Sequence, residues 1–187
     1  MVVSDAEELL DGDPVGVAVE NARRKAQAVA HRGVVLDLCR HTTPKQDDAG
    51  REQPADAPPS PPVVGVDTVV GLEGALYGKP ADAAQARATL KRLSGRVHEV
   101  VSGIAVVEHG ETRTAHATTR VAFRALDDMT LGWYLATEEW RERAGGYAIQ
   151  GRGAALVAGI EGDYLNVVGL PVQALLELLP GILHAGG

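Results

Sequence analysis

A single cysteine, Cys39, excludes a disulfide within the chain, and the lone thiol fits a reducing compartment. No apolar run reaches the ~18 residues needed to cross a bilayer. The opening MVVSDAEELL has neither the basic stretch nor the uninterrupted apolar region of a secretory signal. The expectation is a cytoplasmic protein with no membrane partner. Basic residues are also in short supply: 18 Lys and Arg stand against 25 Asp and Glu, for a formal charge of −7. Such a surface repels a phosphate backbone, so a general nucleic-acid binder is excluded and any phosphate must be captured locally. Several chemical signatures are missing as well, among them GxxxxGK[ST], HExxH, CxxC and GxSxG, and the 6 histidines are scattered without metal-ligand spacing. The GRG at Gly151–Gly153 precedes a strand pattern and does not open a helix, so it is not a dinucleotide fingerprint.

What is present fits one domain, residues 1–187, since this length supports one substantial core. Asp13-Pro14 reads as a helix cap followed by proline at the first helical position. Val15, Val19, Ala22, Ala26, Val29 and Ala30 then recur at helical spacing up to Gly33, with Lys25 on the flank of the stripe and Arg24 opposite. VVLDL (Val34–Leu38) reads as a strand. Residues 40–62 are rich in proline and mixed charge and poor in apolar side chains, the composition of a disordered surface insertion. A strand at Val63–Val70, a turn at Gly71 and Gly74 and a helix from Ala83 to Leu93 stopped by Gly95 follow. Next come a hairpin turning at His109-Gly110, with Ala117, Thr119, Val121 and Phe123 on one face, and two short helices capped by Thr130 and Thr137, with Trp133 and Trp140 as packing residues. Strands are expected at Ala154–Ile160 and Tyr164–Val168, and a last helix begins near Pro171 and ends at Pro180-Gly181. The mixture predicts α/β or α+β architecture.

One stretch poses a chemical question. In VVGVDTVVGLEGALYGKP an acid, Asp67, interrupts a β-branched run, and Lys79 stands just beyond the next turn. A carboxylate in such a place is costly unless it is paired, hydrogen-bonded or bound to a metal. Either it accepts backbone hydrogen bonds at a strand end or it carries chemistry.

This block, continued through ADAAQARATLKRLSGRVHEVVSGIAVV, resembles the central signature of the Maf nucleotide pyrophosphatases. GGYAIQGRGAALVAGIEGDYLNVVGLPVQALLELL resembles their C-terminal signature, and with the weaker match of the helix ENARRKAQAVA the resemblance covers nearly all of the chain outside the proline-rich insertion. The resemblance implies an elongated α/β fold of the Maf/inosine-triphosphatase type, with a twisted mixed sheet and a nucleotide cleft. It implies hydrolysis of nucleoside triphosphates to the monophosphate and pyrophosphate with a divalent cation, Mg²⁺ or Mn²⁺, and homodimers in many members. Carried onto this sequence, Asp67 is the proton acceptor or metal-linked base. Lys25 and Lys79 hold phosphate. Glu8, or Glu7 in the adjacent register, is a second, metal-linked acid. Thr68 and Gln150 stand where the base is chosen, and the YAIQG form around Gln150 resembles the branch acting on dTTP and UTP.

Each assignment has a plainer competitor. The lysines and Glu8 are of types usually solvated, Thr68 is a good strand residue, and Gln150 is able to tie down a glycine-rich loop. Gly145, Gly146, Gly151 and Gly153 read as backbone requirements and not as phosphate contacts. The family's opening strand and SxSPRR motif have no counterpart in this sequence. The resemblance therefore also implies slower turnover than in a chain that carries the motif, and leaves a nucleotide-binding or regulatory relative as the alternative function.

Overall fold

A run of small side chains lets one helix lie unusually close to a sheet, and that closeness organises the molecule. The computed structural model describes residues 8–9, 11–31 and 61–183. The strand expected at Val34–Leu38 and residues 40–60 of the insertion expected at residues 40–62 lie outside them. Helix α1 (Pro14–His31) starts where Asp13 accepts a hydrogen bond from the Gly16 backbone N–H at 3.0 Å. Its buried stripe is Val17, Ala18, Asn21, Ala22, Ala26 and Val29. The stripe is turned slightly from the expected one, with Val15, Val19 and Ala30 only half-buried and the polar Asn21 at its centre.

Strand β1 (Val63–Leu72) turns at Glu73-Gly74 into the short β2 (Ala75–Tyr77). Gly71 therefore belongs to the strand and not to the turn, and β2 is an element that the expected strand, turn and helix order omitted. Helix α2 (Ala83–Leu93) is capped by Asp82, whose carboxylate accepts from the Gln85 N–H at 2.7 Å. The long hairpin of β3 (Val97–Glu108) and β4 (Glu111–Phe123) turns at His109 and Gly110, both at positive φ, the geometry of a type I′ turn. Helix α3 (Asp128–Leu135), β5 (Val157–Glu161), α4 (Tyr164–Val168) and α5 (Val172–Leu178) complete the order.

The sheet runs β2-β1-β3-β4-β5, and each of its pairings is antiparallel. The α/β character stands, but a mixed sheet is not seen among the described residues. Helix α1 covers one face, packing Val17 and Ala18 on Val69 and Val101, and Ala22 and Ala26 on Ala105. On the other face lies the larger core, in which Leu90 and Leu93 of α2 and Leu131 and Tyr134 of α3 meet Val70, Val100, Val121 and Phe123.

Five local expectations are corrected. Helix α3 is capped by Asp127, which accepts from the Thr130 N–H at 2.7 Å, so Thr130 lies inside the helix. Residues 137–143 form turns and no second helix; the Thr137 hydroxyl donates back to the Tyr134 carbonyl at 2.7 Å. Tyr164–Val168 is helical because Asp163 caps it and Gly169 ends it at φ 114, whereas a five-residue apolar run by itself does not distinguish strand from helix. The strand expected from Ala154 begins only at Val157, after a 3₁₀ turn over Arg152–Leu156. Trp140 is buried as expected, but Trp133 is 47% exposed.

Candidate active site

The sheet prepares the site through two glycines. Side chains at odd positions of β1 face α1, and Asp67 pairs in register with Gly103 of β3. A Cβ on Gly103 would fall inside the contact shell of the Ala18 carbonyl and the Val19 nitrogen, and one on Gly65 would collide with the Ala22 carbonyl. Glycine at both positions lets the helix backbone rest against the sheet, and this brings Asn21 and Lys25 within reach of Asp67.

Asp67 is 6% exposed, and both of its carboxylate oxygens are engaged. Oδ1 accepts from Lys25 Nζ at 2.5 Å, and Oδ2 accepts from Asn21 Nδ2 at 2.9 Å. Lys25 donates also to Glu8 Oε1 at 2.6 Å, and Lys79 reaches the same oxygen at 3.4 Å. Asn21, 1% exposed, binds the backbone of Leu9 in both directions, accepting from its N–H at 2.7 Å and donating to its carbonyl at 3.0 Å. One amide therefore fastens the segment carrying Glu8 to the helix and to Asp67. Asn21 went unnoticed in the sequence because an asparagine on an apolar stripe looks like an imperfection; its position one turn before Lys25 was the available signal.

Burial alone would lower the Lys25 pKa, but hydrogen bonds and attraction from Asp67 and Glu8 outweigh it and hold the ammonium above its ordinary value. For Glu8, partial burial works upward and is overcome by Lys25 and then Lys79, leaving the carboxyl below its ordinary value. Two acids and two lysines balance, so the cluster brings no net charge of its own.

A cleft of about 210 Å³ opens at this cluster and is lined by Lys25, Asp67, Thr68, Lys79 and Gln150. Asp67 and Thr68 are consecutive and leave the sheet on opposite faces. Among the described residues β2 covers only Val70–Leu72 of that edge of β1, so the cleft reaches both faces around the uncovered part. Val100, Tyr147, Val167 and Val168 give it an apolar side. Arg143 and Glu142 line it too, and no sequence pattern singled them out. A larger groove of about 700 Å³ beside Arg96, His98 and Arg120 holds none of these site residues. The structure thus unites Glu8, Lys25, Asp67, Thr68, Lys79 and Gln150, while Glu7 lies outside the described residues. The nearby Gly145 and Gly146 both have positive φ, a backbone requirement as expected.

Among the described residues no helix is long and apolar enough to cross a membrane, and no group of three or more His, Cys, Asp or Glu is placed to hold a metal ion.

Comparison with known proteins agrees in family. A dTTP/UTP pyrophosphatase of Pyrococcus furiosus is 47% identical over 121 residues, 65% of this chain and 64% of the relative. One from Moorella thermoacetica is 52% identical over 119 residues, 63% of this chain and 61% of the relative. The chain thus spans just under two thirds of the length of these two relatives. One from Thermococcus gammatolerans is 39% identical over 178 residues, 95% of this chain and 82% of the relative. The family described as Maf-like protein matches residues 1–182, and on that match the chain belongs to the Maf-like protein family.

Proposed function

We propose that this chain hydrolyses dTTP and UTP between the α- and β-phosphates, yielding the nucleoside monophosphate and pyrophosphate. The observation that carries the reading is the convergence of Asp67, Lys25, Lys79, Thr68 and Gln150 on one cleft. Family membership and the names of the relatives support it.

In this reading water attacks the α-phosphorus, and Asp67 accepts the proton as the bond to the pyrophosphate oxygen breaks. Lys25 and Asn21 hold the carboxylate so that its remaining lone pairs are aimed and not free to rotate. Lys79, 46% exposed, and Lys25 offer point charges to the phosphate oxygens. Thr68 and Gln150 meet the base. The carboxylates of Glu8 and Asp67 already converge on one positive charge, the Lys25 ammonium. Two hard oxygen donors of this kind, completed by substrate phosphates, suit Mg²⁺ or Mn²⁺. When bound, such a cation supplies neutralisation of phosphate charge. The reading also takes the protein as cytoplasmic and, from the family resemblance, as a homodimer, which sedimentation of the purified chain tests.

The deciding measurement is pyrophosphate release by the purified chain from dTTP, UTP, CTP and ATP, with Mg²⁺ or Mn²⁺. Release from dTTP and UTP is the expected result. No release from any nucleotide overturns the hydrolytic reading, and nucleotide binding without release identifies a binding or regulatory relative.

A further inference from the structure

Behind Thr68, on the face of the sheet away from α1, runs a chain of polar groups whose hydrogens can be assigned one by one. Ser102 and Thr119 are fully buried, as is Asn166. The Asn166 side-chain amide donates to the Val100 carbonyl at 3.0 Å and to the Thr119 hydroxyl oxygen at 2.9 Å. Reversing the amide would set its oxygen against the Val100 carbonyl, so its orientation is fixed. Thr119 in turn gives its hydrogen to the Asp163 carbonyl at 3.0 Å. These bonds seat Asn166, and its backbone carbonyl comes within 3.2 Å of the Ser102 hydroxyl.

A carbonyl only accepts, so the single hydrogen of Ser102 is committed to it. The Thr68 hydroxyl lies 2.8 Å from Ser102 Oγ, and one of the two must donate. Ser102 has no hydrogen left. Thr68 therefore donates inward, and toward the cleft its oxygen offers lone pairs alone. A base whose N3 is seated there must present a donor at that atom, which the 4-amino group of cytosine does not supply. Uracil and thymine carry N3–H between two carbonyls, whereas cytosine has a bare lone pair at N3. Gln150, with both a donor and an acceptor, is equipped to meet a flanking carbonyl in either orientation.

We propose that Ser102 is a specificity-determining positioning residue: by accepting the Thr68 hydrogen it makes Thr68 an obligate acceptor, and so selects pyrimidines bearing N3–H over cytosine. The proposal rests on the hydrolytic reading for its nucleotide but concerns the choice of base, which binding measures separately from turnover. Leaving a lone pair against a lone pair in a half-buried cleft costs roughly tenfold to hundredfold in affinity.

The test is calorimetric binding of α,β-methylene-UTP and α,β-methylene-CTP, whose α–β link resists hydrolysis, to the full chain with Mg²⁺. The unsubstituted protein is expected to favour the uracil analogue by at least roughly tenfold. In Ser102→Ala the Thr68 hydrogen loses its acceptor and is free to turn into the cleft. The Asn166 carbonyl keeps its bond from the Gly169 N–H at 3.0 Å. The preference is expected to collapse to within about threefold. Thr68→Ser is expected to keep the preference and Thr68→Val to lose it, and this pair decides the matter if Ser102→Ala does not fold. A preference unchanged in Ser102→Ala, or in Thr68→Val where that pair decides, overturns the proposal, as does a cytosine preference in the parent protein. Uracil preference without pyrophosphate release from UTP sustains the base-reading device and removes the hydrolytic reading. Hydrolysis of UTP with no base preference does the reverse, and failure to bind either analogue overturns the base-reading proposal, leaving pyrophosphate release to decide the hydrolytic reading.

Discussion

Replacing Asp67 with asparagine preserves shape and removes charge, and the structure sets the consequences. The Asp67 carboxylate faces a donor at each oxygen, Lys25 Nζ at 2.5 Å and Asn21 Nδ2 at 2.9 Å. An amide in its place must turn its own NH₂ toward one of them, donor against donor. Asn21 cannot reverse to relieve this, because its two bonds to Leu9 fix its orientation. One charge-assisted hydrogen bond is lost and a nearly buried donor is stranded, for a cost of about 2–3 kcal/mol. In a chain of this size that lowers the unfolding temperature by about 4–12 °C. Turnover is expected to fall by at least a few hundredfold, since both the proton acceptor and its negative charge are gone. Urea unfolding gives the first number, and steady-state pyrophosphate release from dTTP and UTP gives the second. Unchanged stability would refute the two-donor lock around Asp67. Near-normal turnover in a folded variant would refute Asp67 as the base and leave it a structural acceptor.

Gly103→Ala is expected to cost about 1–3 kcal/mol by overpacking and to reduce turnover by pushing α1, with Asn21 and Lys25, off Asp67; wild-type values in both urea unfolding and pyrophosphate release would contradict the close approach. His98, 1% exposed and bonded to the Tyr147 hydroxyl at 2.9 Å, is pushed down by burial from 6.5 to about 4. Between those values the unfolded chain binds a proton that the folded one does not, so stability falls as pH drops through the window and this contribution levels off below it, by about 3 kcal/mol in all. Unfolding curves from pH 7 to 4 should show the slope, and His98→Phe should flatten it; an equal slope in both proteins would assign it to other groups. Replacing Gln46–Pro61 with a short loop should leave the unfolding temperature nearly unchanged, because the segment is polar and proline-rich; a drop of many degrees on calorimetry would show that it contributes packing.

The sequence by itself determined the elements whose signals are local. Pro14 after a capping Asp13, the helical recurrence from Ala83 to Leu93 before Gly95, and the alternation on either side of His109-Gly110 all became the expected helices and hairpin. Each is written in neighbouring residues, where periodicity and capping act. The chemical types at the site were legible too, through the family resemblance of the blocks around Asp67 and Gln150. Only the tertiary structure decided how these parts meet. Asn21 and Asp67 are 46 residues apart, and Thr68 reaches Ser102 and then Asn166 across three separate segments. Such contacts follow from strand register and from the depth to which α1 settles on Gly65 and Gly103, and neither leaves a periodic trace. Tyr164–Val168 is the instructive case: its apolar run suits strand or helix equally, and the caps at Asp163 and Gly169, with the burial of Asn166 against Val100 and Thr119, made it a helix. Local sequence selects the form of an element where one form is clearly preferred, while packing selects among near-equal forms and sets which side chains touch.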